Sequence, residues 1–225
     1  MNDKQLVALQ AAKYVKNGML VGLGTGSTAN YFIEELARLQ REEGLKITTV
    51  ASSTISTITA QTLGLPIVAL EHISSIDLYV DGADEITPEM TLLKGRGSDL
   101  VKEKLLAKAA SQFIAVADES KLVSYIGQNF VIPIEVIPFA WQLTKKSLEA
   151  IGAHGNLRPN AAKDGFWVTS HGSYVLDMTF EKSLDSKALN DLISNTPGVI
   201  EHGIFYELTD AIFIAANGEI NERWA

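Results

Sequence analysis

Short apolar runs and amphipathic stretches alternate along the first half of the chain, and this alternation limits the architecture more than any other feature. Residues 5–16 place Leu6, Leu9, Ala12 and Val15 at helical spacing, with Gly18 as a stop. Residues 19–24 read as a buried strand, and the helix that follows Thr28 carries Tyr31, Phe32, Leu36 and Leu39 on one side. Strands are expected at 47–51, 66–70, 76–80 and 112–117, with helices at 55–63 and from about Ser98. Such alternation builds an α/β domain around a mostly parallel sheet with crossover helices.

After about Gly127 the pattern changes. A strand at 131–136, interrupted by Pro133, precedes a helix at 139–151, shorter strands near Trp167 and at 174–180, a helix at 186–194 and a turn at Thr196-Pro197-Gly198. Strand–helix–strand–strand–helix–strand is the order of a split βαβ unit. The expected organisation is a parallel-sheet domain from residues 1–127 plus 203–225 and a small α+β insert at 128–202, with a strand at 211–216 returning to the first sheet.

With 225 residues and 46% hydrophobic content, the chain is long and apolar enough for one large core or two small ones. A formal charge of −8, from 19 basic and 27 acidic side chains, argues against a nucleic-acid partner. The absence of cysteine excludes thiol catalysis, disulfides and cysteine metal sites. Met1-Asn2-Asp3-Lys4-Gln5 lacks a signal-peptide profile, and no apolar run approaches the roughly 18–20 residues of a membrane span. The expectation is a soluble, cytoplasmic protein.

Gly24-Thr25-Gly26-Ser27-Thr28 links a buried strand to an amphipathic helix. Unpaired N–H groups at a helix start and the helix dipole favour an anion there, and glycines let the main chain come close. Phosphate suits this loop; the other reading is a plain turn in which Ser27 or Thr28 caps the helix. A dinucleotide site would need a third glycine where Ser27 stands and an acid where the second strand ends in Ala51-Ser52-Ser53, and an ATP-type loop would need a lysine. A small monophosphorylated substrate fits better.

Asp81-Gly82-Ala83-Asp84-Glu85 follows the strand at 76–80, at the carboxyl end where open α/β sheets gather their ligands. These acids are read as chemical groups or loop anchors rather than metal ligands, since His72, His154, His171 and His202 are scattered. Asp84 or Glu85 is expected to hold the loop while Asp81 does chemistry. Lys94-Gly95-Arg96-Gly97 sets an ammonium among glycines, as a developing oxyanion requires. On the next helix Glu103 shares an arc with Leu100, Leu106, Ala107 and Ala110, opposite Lys104 and Lys108, which are expected to be solvated. A carboxylate on that arc is either paired in the core or kept as a base.

Gly24-Thr25-Gly26-Ser27-Thr28, Asp81-Gly82-Ala83-Asp84-Glu85, Lys94-Gly95-Arg96-Gly97, Glu103, Asp118-Glu119-Ser120-Lys121 and Pro133-Ile134-Glu135-Val136 occur in order, and the set resembles the A-type ribose-5-phosphate isomerases along the whole chain. The resemblance implies a Rossmann-like domain with a ferredoxin-like insert, assembled as homodimers or homotetramers. It implies interconversion of ribose 5-phosphate and ribulose 5-phosphate, in the pentose phosphate pathway, without metal or organic cofactor. By the same resemblance Glu103 is the base, Lys94 holds the enediolate oxygen, and Asp81 assists hydroxyl proton transfer and ring opening. Asp84 positions the sugar, and Ser27, Thr28, Lys121 and Lys4 take the phosphate. Thr25, Gly26, Gly82, Ala83, Gly95, Arg96 and Gly97 complete the substrate contacts.

The chain departs from the family's longer glycine run followed by small residues: here it reads Gly95-Arg96-Gly97-Ser98-Asp99. If Arg96 needs positive φ it is strained; otherwise it points outward or reaches substrate. Asp99 precedes Glu103 by one helical turn. The rival readings are a phosphosugar-sensing regulator on the same fold, for which a base at Glu103 has little use, and a related CoA transferase or amino-sugar phosphate isomerase.

Overall fold

The computed structural model describes residues 2–97, 99–180 and 184–225. The Asn2 side chain accepts the Gln5 N–H at 2.8 Å, so α1 (Asp3–Ala12) starts and ends earlier than its apolar spacing suggests. β1 (Leu20–Leu23) leads into α2 (Ser27–Glu43), which stops at Gly44 with φ 73°. β2 (Thr48–Ala51) leads into α3 (Thr54–Thr62), capped by the Ser53 hydroxyl. Residues 66–70, expected as a strand, make only an isolated parallel bridge between Ile67 and Thr49, because Pro66 has no N–H and the chain turns into a 3-10 helix at Leu70–His72.

β3 (Leu78–Gly82) runs further than expected: Asp81 lies within it, in register with Ala115, rather than just past its end. The two-residue strands β4 (Glu85–Ile86) and β5 (Leu92–Leu93) precede α4 (Leu100–Ala109) and β6 (Phe113–Asp118). β7 (Ile132–Val136) is continuous, with Pro133 opposite Asp177, so the proline does not interrupt it. After α5 (Trp141–Ala150) comes β8 (His154–Leu157), where the sequence suggested no strand; the strand expected near Trp167 reduces to bridges from Phe166 and Val168. β8 can lie against its neighbour because Gly155 has no Cβ, which would stand 2.0 Å from the Asp177 carbonyl oxygen. β9 (Tyr174–Thr179), α6 (Ser186–Ser194), β10 (Val199–His202), β11 (Ile204–Phe205), β12 (Ala211–Ala216) and β13 (Glu219–Trp224) complete the chain.

Two compact units result. The first, Met1–Ala83 with Lys102–Lys121 and Leu208–Ala225, contains the six-stranded sheet β13-β12-β6-β3-β1-β2, parallel except for β13. Its core joins Phe32, Ile33 and Leu36 of α2 to Leu23, Val80, Ile114 and Phe213 of the sheet. The second, Asp84–Val101 with Leu122–Glu207, contains the antiparallel sheet β10-β7-β9-β8, with α5 and α6 as the crossovers of a split βαβ unit. The expected α/β class, a mostly parallel sheet with a smaller α+β part, is therefore found, and the sheet of the smaller part is antiparallel; the bounds of the two units differ from the expected 127/128 and 202/203. Residues 84–101 and 203–207 group with the second unit because β5 pairs with both β4 and β11 there. Among the described residues no helix is long and apolar enough to cross a membrane.

Candidate active site

In the first unit the loop after β1 is shaped by what surrounds it. Gly26 is the N-cap of α2, with φ 106° and no side-chain cap, so neither Ser27 nor Thr28 serves as the cap. Ser27 is exposed and accepts a hydrogen bond from Lys4 Nζ at 3.1 Å. Lys4 and Lys121 both act electrostatically on Asp118. Burial pushes that carboxyl up, but the Ser120 hydroxyl and N–H, followed by the two lysines, outweigh it and hold Asp118 below its ordinary value. An uncapped helix start, one hydroxyl and two lysines thus gather where an anion would sit. Thr25 is different. Its Oγ1 donates to Ser53 Oγ at 2.8 Å and lies 2.9 Å from Ser52 Oγ, so the hydroxyl faces inward and only its neighbours offer donors outward.

Asp81 is fully buried. Its Oδ1 accepts the Thr25 N–H at 2.9 Å and the Gly82 N–H at 2.7 Å, and its Oδ2 accepts the Tyr79 hydroxyl at 2.6 Å. Gly24 is required by contact rather than by φ: a Cβ there would stand 2.1 Å from Asp81 Oδ1. The loop that suits phosphate therefore also orients the first acid of the motif. Glu103, on α4, is buried in the same unit, and its negative charge, like that of Asp81, acts on Tyr79. Lys104, expected in solvent, is buried as well: α4 covers two adjacent faces, leaving Leu105 and Lys108 outside. Ser98, where the helix was expected to begin, lies outside the described residues.

In the second unit the two candidate loop anchors separate. Glu85 is fully buried and accepts the Gly127, Asn129 and Phe130 N–H groups at 2.6, 2.6 and 2.9 Å, so Glu85 holds the loop. The Asp84 carboxylate remains partly exposed, 3.8 Å from the Arg96 guanidinium. Lys94 is buried, its N–H bonded to the Gly203 carbonyl at 2.9 Å and its ammonium 5.6 Å from the Phe205 ring centroid. Gly95 has φ 92°, and a Cβ there would meet Leu100 Cβ at 2.6 Å, so this position needs glycine twice over. Arg96 has no positive φ; it is half exposed and stacks 4.0 Å over Phe130. The carbonyl oxygens of Gly95 and Arg96 accept from Arg158 Nη1 at 3.5 and 3.1 Å, and Arg158 is itself held by Asp177.

Sequence reasoning passed over Tyr79, Arg158 and the Ser52–Ser53–Ser56 hydroxyls. Tyr79 was legible in principle, since a residue two before Asp81 in a strand shares its face. Arg158 was not, being distant in sequence from the loop that it supports.

The chain is similar to known proteins in sequence and in fold. The family model described as ribose 5-phosphate isomerase A (phosphoriboisomerase A) matches residues 48–219. The ribose-5-phosphate isomerase A of Thermococcus kodakarensis is 43% identical over 212 residues, covering 94% of this chain and 93% of that protein. That of Methanothermobacter thermautotrophicus is 44% identical over 220 residues, covering 97% and 96%. The solved ribose 5-phosphate isomerase A of Methanocaldococcus jannaschii superposes with a TM-score of 0.93 at 36% identity, over 99% of this chain and 98% of that one. A D-ribose-5-phosphate isomerase solved in complex with phospho-erythronic acid superposes with a TM-score of 0.95 at 35% identity, over 100% of both chains. On sequence and fold together, this chain belongs to the ribose-5-phosphate isomerase A family.

Proposed function

We propose that the chain interconverts D-ribose 5-phosphate and D-ribulose 5-phosphate through an enediolate, in the non-oxidative branch of the pentose phosphate pathway, without a metal or organic cofactor. The observation that carries this reading is a single polar cluster in the first unit. There the main chain of the anion-suited loop binds Asp81, and the charges of Asp81 and Glu103 act on one phenol. In this mechanism Glu103 takes the proton from C2 of the aldose and returns it to C1, so one carboxylate serves both half-reactions. Asp81 moves the hydroxyl proton and assists ring opening, and Lys94 with the glycine main chain of Gly95 and Gly97 stabilises the enediolate oxygen. Ser27, Thr28, the Gly26 N–H, Lys121 and Lys4 bind the phosphate, while Asp84, Arg96, Gly82 and Ala83 contact the sugar. Fixing the remote phosphate holds the reacting carbons against the base.

Family membership supports the substrate assignment, as does the neighbour bound to phospho-erythronic acid, a phosphorylated four-carbon acid whose carboxylate resembles a planar enediolate. Self-association as a homodimer or homotetramer belongs to the same reading, supported by Phe139 and Leu143 standing 91% and 74% exposed. So does a cytoplasmic location. The test is direct: purified protein supplied with ribose 5-phosphate is assayed for ribulose 5-phosphate, in parallel with Glu103→Gln. Loss of a positioned base should lower kcat by about 10²- to 10⁴-fold while phospho-erythronic acid still binds. Wild-type turnover by the variant would remove Glu103 from the mechanism.

A further inference from the structure

Asp81 is held from inside the first unit by a side chain that the reaction scheme does not use. Tyr79 is fully buried, stacked on Phe113 with ring centroids 4.9 Å apart, and its hydroxyl donates to Asp81 Oδ2 at 2.6 Å. Gly22 leaves the ring its room, since a Cβ there would lie 2.7 Å from Tyr79 Cδ2. The Ser52 hydroxyl acts on the same phenol, opposing the effect of burial on it. Ser52 Oγ lies 2.9 Å from Thr25 Oγ1, which donates to Ser53 Oγ. Ser53 Oγ in turn donates to Ser56 Oγ at 3.1 Å, and Ser56 donates to the Gly24 carbonyl at 2.6 Å. The hydroxyls of Thr25, Ser53 and Ser56 therefore form a run of donors that ends on the main chain of the phosphate-suited loop.

We propose that Tyr79 is a positioning residue for the isomerisation, fixing the Asp81 carboxylate in the orientation that proton transfer on the sugar hydroxyls requires. Three features support it. The Tyr79 hydroxyl carries one hydrogen, and the 2.6 Å contact gives it to the Asp81 carboxylate, which can only accept. Burial first, then the charges of Asp81 and Glu103, push the phenol well above its ordinary value, so it stays a donor throughout the neutral range. Two main-chain N–H groups bind the other Asp81 oxygen, and the phenol is a side-chain contact on Oδ2 that fixes the tilt of the carboxylate. The Thr25 N–H on Asp81 Oδ1 ties the same carboxylate to the loop that receives the phosphate.

The inference rests on the reading of Asp81 as a group that acts on the substrate, and a double-mutant cycle separates the two. Tyr79→Phe removes the hydroxyl and keeps the ring on Phe113. It should lower kcat about 10- to 100-fold, the equivalent of one hydrogen bond to a charged group, with KM and phospho-erythronic acid affinity nearly unchanged. In an Asp81→Asn background, itself impaired, the same substitution should change kcat no further. A Tyr79→Phe kcat within about twofold of wild type, or equal fold-losses in both backgrounds, overturns the proposal. Wild-type turnover by Asp81→Asn alone overturns the reading of Asp81, and this proposal with it. If Tyr79→Phe does not fold, Tyr79→Met, which also removes the hydroxyl and keeps apolar bulk, takes its place in the cycle. A kcat loss that disappears with Asp81→Asn supports the proposal, and an unchanged kcat overturns it.

Discussion

Glu85→Gln removes a charge from the second unit while leaving the shape of the side chain intact. The carboxylate takes three main-chain N–H groups, with Asn129 and Phe130 on Oε1 and Gly127 on Oε2. A glutamine oxygen can keep the first pair, but its NH₂ then faces the Gly127 N–H, donor against donor; the flipped amide orphans two groups instead of one. One buried N–H left without an acceptor, together with weaker bonds from the other two once the acceptor is neutral, gives about 2–4 kcal/mol of destabilisation. For a chain of this size that corresponds to a fall in Tm of about 4–16 °C. Urea unfolding of the full chain gives the free energy, and amide exchange at Gly127, Asn129 and Phe130 locates it. A change below about 0.5 kcal/mol, the scale of a neutral surface substitution, would refute the assignment of Glu85 as the anchor of this loop.

Lys94→Ala should lower kcat more than it raises KM in steady-state kinetics, since the ammonium is assigned to charge that exists only after proton removal; an effect confined to KM would limit Lys94 to ground-state binding. Arg96→Ala should cost about 1 kcal/mol or less in urea unfolding, because it removes a cation–π stack and a half-exposed ion pair. Asp118 is held below its ordinary value of 3.8, so its contribution to stability is present above that pH and is lost as pH falls through the lowered folded value. The stability difference between wild type and Ser120→Ala should therefore be largest near neutrality and shrink in acid below about pH 4; a difference that ignores pH would break the link between the Ser120 donors and Asp118. Isomerisation should persist in a strong chelator, since Lys94 and main-chain donors are assigned to the developing charge; activity lost and then restored by a divalent ion would return the aspartates to metal binding.

Long periodic segments were legible and short non-local ones were not. The helix expected at 186–194 coincides with α6, where Asp185 caps the first turn and Leu189 and Ile193 face the core. β4, β5 and β11 were hidden because two-residue strands carry no periodicity; β5 and β11 pair across more than a hundred residues, Leu92 with Phe205 and Leu93 with Ile204, and β4 is held by β5. That pairing moves residues 84–101 into the second unit. Lys104 shows the limit of helical-wheel reasoning: an arc predicts which side is buried only when one side is, and α4 buries two.

The site residues follow the same division. Asp81, Lys94, Gly95 and Glu103 stood out because each combines an unusual residue type with a local constraint, a strand end, a glycine or an apolar arc. The direction of a hydroxyl carries no such mark. Thr25 reads in sequence as one more donor for an anion, yet Ser52 and Ser53 from another strand end turn it inward, and the outward donors are those of its neighbours. The same inward turn aligns the Thr25 N–H on Asp81 Oδ1, so under the proposed mechanism one side-chain choice serves both ends of the substrate: it leaves the helix start open for phosphate and orients a carboxylate for the sugar. Replacing Thr25 with valine, which keeps the shape and removes the hydroxyl, should therefore impair kcat through Asp81 and leave phosphate affinity largely intact, whereas a threonine that bound phosphate directly would show the opposite pattern.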